Sequence, residues 1–80
     1  MEYRFGRRNK TIIEYDGDTI NVVRNITSKQ NVYEEVDDEL TRYMEFVCDD
    51  GSVFRCTFDV RRRNSCRKYD YLYGELFRIM

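Results

Sequence analysis

The clearest pattern in the chain is alternation. Met44, Phe46 and Cys48 alternate with Tyr43, Glu45 and Val47. After a short polar break, Phe54, Cys56, Phe58 and Val60 alternate with Arg55, Thr57 and Asp59. A period of two is the mark of a half-buried strand. The two apolar sets share a face only if residues 46 and 54 pair. Asp49-Asp50-Gly51 then forms a three-residue loop, with Gly51 in the left-handed position of a bulge. In that register Cys48 lies at the turn end and Cys56 opposite Met44, roughly 13 Å apart at about 3.3 Å per residue. The two thiols are expected to remain unbridged, as small core residues.

A second hairpin is expected earlier. Thr11–Tyr15 and Asp18–Val23 are β-branched runs around Asp16-Gly17, a strong two-residue turn signal. Pairing about that turn sets Ile13 opposite Ile20 and Thr11 opposite Val22. Between the hairpins, Val32, Val36 and Leu40 recur every fourth residue, with Tyr33 beside them. That spacing predicts an amphipathic helix within Ser28 to Thr41, started by one of two capping boxes, Thr27–Gln30 or Asn31–Glu34. An edge strand over Val32 to Val36 is the rival. Tyr3 to Phe5 reads as a short opening strand. Tyr69 to Met80 reads as a strand bulged at Gly74, with a C-terminal helix from Tyr73 to Ile79 as the alternative. The expected fold class is α+β: a mainly antiparallel β-sheet of two β-hairpins, with one short amphipathic helix between them.

Composition narrows the classes. With 80 residues the chain reads as a single compact domain, 1–80, with a modest core and a densely charged surface. Such a core leaves room for a homodimer. No apolar run approaches membrane length, and Met1–Arg8 lacks an apolar signal core, so a cytoplasmic location is expected. The cysteines, Cys48, Cys56 and Cys66, are odd in number and form no C-x-x-C pair, and histidine is absent. Neither a metal site nor another cofactor is expected. The usual acid–base residue at neutral pH is missing as well. The chain is therefore expected not to be an enzyme, a histidine-free ribonuclease being the catalytic alternative.

Charge is sorted along the chain. Residues 1–31 carry +2, residues 32–59 carry −7 and residues 60–80 carry +4. The acidic third offers a partner-binding face: Glu34, Glu35, Asp37, Asp38 and Glu39 on the expected helix, joined by Asp49 and Asp50 and flanked by Tyr33 and Tyr43. Carboxylates so spaced can occupy sites built for phosphates, and tyrosine is favoured where partners anchor. The functional expectation is an inhibitor or regulator that docks this face on a basic, nucleic-acid-handling protein. The bland alternative is a surface neutralised within one molecule. A different reading has DNA or RNA bound directly by Arg61, Arg62, Arg63, Arg67, Lys68, Tyr69 and Tyr71, where arginines hold phosphates and tyrosines stack bases. In size and composition alone, the chain resembles small proteins that phages and mobile elements use to block host machinery, such as anti-CRISPR proteins.

Overall fold

A computed structural model describes residues 1–62 and 69–80, with the side chains of residues 1–58 and 74–80. The chain forms a six-stranded antiparallel meander in which every strand pairs with its neighbour in sequence. The strands are β1 (Glu2–Phe5), β2 (Thr11–Asp16), β3 (Thr19–Val36), β4 (Glu39–Cys48), β5 (Val53–Arg62) and β6 (Tyr69–Arg78). A 3-10 turn at Arg7–Asn9 joins the first two. The sheet curls until β1 approaches β6, so it is nearly closed.

No α-helix occurs among the described residues, which overturns the expected α+β class. The segment read as a helix is the second half of β3, the turn Asp37–Asp38 and the start of β4. Its spacing was ambiguous. Residues four apart share a face on a strand as they do on a helix, because four is twice two and close to 3.6. Leu40 is not on the same strand as Val32 and Val36 but across the turn, opposite Glu35. The local composition also favours strand, since Val32, Tyr33, Val36, Thr41 and Tyr43 are β-branched or aromatic.

β3 organises the fold. Its 18 residues exceed what either neighbour can pair. Thr19–Asn25 pair with β2, and Ile26–Val36 pair with β4. A bulge between Ile26 and Ser28 marks the change of partner. It also changes which side chains face the core. Before the bulge Arg24 and Ile26 face inward; after it Lys29 lies opposite the buried Phe46.

The first hairpin departs from the expected register. The two-residue loop is Gly17–Asp18, with Gly17 at φ 58°, not Asp16-Gly17. Glycine is needed at the first central position because the positive φ falls there. An irregularity at Glu14/Tyr15 then sets Ile13 opposite Val23 and Thr11 opposite Asn25. Ile20 lies opposite Tyr15 and is exposed. The second hairpin is as the alternation requires, with Phe46 opposite Phe54 and Met44 opposite Cys56. Gly51 has φ 84° and its N–H donates to the Cys48 carbonyl at 3.0 Å. β6 is a strand, and the ladder slips between Cys56/Leu76 and Phe58/Tyr73, leaving the extra residue at Gly74–Glu75.

The core is small and aromatic. Ile12, Phe46, Cys48, Phe54 and Cys56 are buried together, both thiols unbridged. Tyr3 and Phe5 of β1 close the curl, their rings edge-on to Phe54 at 4.9 Å and Phe46 at 5.1 Å. Beside this core lies a charge cluster that the sequence reading missed. Arg24, only 6% exposed, donates to Glu14 Oε1 at 3.0 Å and to Asp50 Oδ2 at 2.7 Å. Its guanidinium also lies 5.5 Å from the Phe54 ring centre. Burial alone would lower the Arg24 pKa, but the hydrogen bonds to Asp50 and Glu14 outweigh it and the pKa is raised. The signal was the strand period: Glu14 follows Ile12 by two, so it points inward and needs a partner.

Removing the cation should be costly. Arg24→Met keeps the volume but leaves Glu14 buried and unpaired, so urea unfolding should show a loss of about 3 kcal/mol. A loss below about 1 kcal/mol would mean that the cluster is solvated.

Candidate protein interface

The acidic third of the chain is a hairpin tip. Asp37 and Asp38 form the two-residue turn between β3 and β4, with φ of 51° and 63°. Both central residues are left-handed, as a type I′ turn requires, and aspartate accepts that region better than most residues. Glu35 and Glu39 flank the turn, and all four carboxylates are exposed. None of the four has a hydrogen-bond or ion-pair partner among the described residues. Around them are large apolar side chains left in solvent: Tyr33 is 58% exposed, Val36 51% and Leu40 68%.

Other expected site residues are already engaged. Glu34 accepts from Arg55 Nη1 at 2.6 Å, and the same guanidinium donates to Glu45 at 3.0 Å. Those two carboxylates, Glu34 before Glu45, raise the Arg55 pKa. Tyr43 is half-buried, edge-on to Phe77 at 6.2 Å and 5.7 Å from the Arg55 guanidinium. Tyr33 and Tyr43 therefore differ, the first being available for contact and the second part of the packing.

Asp49 and Asp50 do not join the tip. They follow the far end of β4, whose ten residues separate the two turns by roughly 30 Å. Both are structural. Asp49 accepts from the Asn25 backbone at 3.2 Å and from its side chain at 3.1 Å. Asp50 accepts from the Ser52 hydroxyl, from the Ser52 N–H at 3.0 Å and from Arg24. These bonds, Ser52 first, hold the Asp50 carboxyl well below the usual aspartate range.

The basic residues are also divided. Arg7, Arg8 and Lys10 lie in the β1–β2 connection, beside Asn25–Lys29. Arg61 and Arg62 end β5, nine residues along the strand from Val53, at the other end of the sheet. The N-terminal cluster therefore does not reinforce the C-terminal one. Within β5–β6, the backbone register sets Arg62 opposite Tyr69, Arg61 opposite Asp70 and Val60 opposite Tyr71. Arg63, Arg67 and Lys68 lie outside the described residues, as does Cys66.

No protein-family model, curated protein or solved structure matches the chain. Among the described residues no helix is long and apolar enough to cross a membrane.

Two outcomes follow from the geometry. Asp38→Gly should stabilise the fold by about 1 kcal/mol in urea, because glycine carries no penalty at positive φ; a destabilised variant would contradict the left-handed turn. The depressed Asp50 carboxyl contributes stability above its unfolded pKa of about 3.9, lost as pH falls toward its lower folded value. Acid titration of Asp50→Asn should accordingly show a flatter loss of stability below about pH 4 than the parent protein.

Proposed function

We propose that the chain is a non-enzymatic protein-binding inhibitor or regulator. Its β3–β4 tip docks on a basic, nucleic-acid-handling surface of another protein. The observation that carries this reading is the composition of the tip. Glu35, Asp37, Asp38 and Glu39 have no partner among the described residues, and they surround exposed Tyr33, Val36 and Leu40. Isolated surface charges steer an encounter but add little affinity, whereas apolar side chains beside them supply burial once contact is made. Two left-handed aspartates are an expensive way to turn a chain when Asp-Gly would serve. Keeping both carboxylates at the apex is consistent with their use as a recognition element.

The docking site is smaller than the acidic third as a whole. It comprises Tyr33, Glu35, Val36, Asp37, Asp38, Glu39 and Leu40, with Glu34 held at its border by Arg55. Carboxylates at the end of a two-stranded arm can reach phosphate-binding arginines and lysines in a groove.

Capture from host lysate on immobilised protein tests the reading. The parent chain should retain a nucleic-acid-binding protein that elutes as salt rises, and Glu35→Lys/Asp38→Lys should lose it by tenfold or more. Equal retention by the charge-reversed variant would remove the tip from the interface.

A further inference from the structure

The second half of β3 pairs with β4 on one side only. On the other side β2 ends at Thr11 opposite Asn25, and the last backbone bond to that connection is Ile26 N–H to the Lys10 carbonyl at 3.0 Å. From Ser28, just past the bulge, to Val36, just before the turn, no described strand covers the outer edge. Nine residues of open edge form a template for another strand. Proline, short length, bulges and charged side chains are the usual protections. The chain has no proline and this edge is longer than an average strand. What guards it is the bulge at Ile26/Ser28 and the charges Lys29, Glu34 and Glu35, and a charge repels a second strand only where it meets its own sign.

We infer that two copies of this chain pair antiparallel through the β3 edge, Ser28–Val36, about a two-fold axis at Val32. One symmetry constraint and two observations agree on that register. A two-fold axis perpendicular to a sheet keeps each residue on its own face, so paired residue numbers must have an even sum. The midpoint of the open edge is Val32, and pairing about it uses the edge from end to end. That register, and not its neighbours two residues either way, sets Lys29 opposite Glu35 of the second copy, twice per dimer. Lys29 and Glu35 are both exposed and have no partner within the chain among the described residues. Gln30 then faces Glu34, Asn31 faces Tyr33, and the two Val32 side chains meet.

Charge complementarity extends past the paired edge. In the same register, the Asp37–Asp38 turn of one copy reaches the level of Ile26–Thr27 of the other. A groove lies there, lined by Arg8, Lys10 and Lys29 with Asn25–Ser28. The acidic tip of each copy thus lies against the basic connection of its mate, and the chain is complementary to itself at both ends of the edge. Self-pairing and docking on a foreign partner use the same tip, so they compete. The pairing does not depend on the docking reading.

Sedimentation of the purified chain over a concentration series tests the pairing. Dimers should form, weaken with salt, and be about tenfold weaker in Lys29→Glu and in Glu35→Lys, each of which sets like charges opposite each other. Mixing those two variants should restore association, because every facing pair is then opposite in sign. In a Cys66→Ser background, oxidised Val32→Cys should give a covalent dimer and Ser28→Cys should not, since only residue 32 faces itself. A monomer at every concentration, or a mixture no more associated than its components, would overturn the pairing. It would leave the docking reading intact, which lysate capture by the monomer addresses separately.

Discussion

A strand too long for any one neighbour governs this molecule. β3 spends its first half on β2 and its second on β4, and the bulge at Ile26/Ser28 is where it passes from one to the other. Most other features follow from that division. The curl that closes β1 on the core comes from the first half. The projecting arm, its acidic turn and its uncovered edge come from the second. Arg24 sits just before the handover and reaches both Glu14 on β2 and Asp50 in the β4–β5 turn. It ties the two halves where the backbone ladder changes partner. A buried ion pair is a costly tie, since desolvation offsets much of its attraction. It joins the halves at the same level as the aromatic contacts of Tyr3 with Phe54 and Phe5 with Phe46.

The core supports this arrangement without dictating the whole of it. Ile12, Phe46, Phe54 and the two cysteines cluster around the handover, Ile12 opposite Arg24 before it and Phe46 opposite Lys29 after it. Among the described residues the arm from Tyr43 to the Asp37–Asp38 turn has no such cover, and Tyr33, Val36 and Leu40 stand in solvent. The arm is held by its own ladder and by the Arg55 ion pairs, and it gains little from the core.

The legible and illegible parts of the sequence divide on physical grounds. The β4–β5 hairpin was readable to the residue because one face is buried, and a slip by one would expose Phe46 and Phe54 together. The first hairpin was readable only in outline. Asp16-Gly17-Asp18 offers two turns one residue apart, and the irregularity at Glu14 decides between them. The helix was misread because Val32 and Val36 fit both periods, and the turn between them and Leu40 carries no glycine. The acidic set was singled out by composition, but only the fold separates Asp37 and Asp38 at the apex from Asp49 and Asp50 at the opposite end. Arg24 and Arg55 escaped notice, since a lone arginine in a strand gives no hint of its partners until register is known.

The central claim is that residues 28–41 are a strand, a two-residue turn and a strand. Proton NMR of the labelled protein measures this directly. Cross-strand contacts between the backbone protons of Asn31 and Met44, and of Tyr33 and Arg42, are the expected result. Contacts three residues apart along 28–41, with no cross-strand partners, would restore a helix there and remove the arm, the tip and the open edge together.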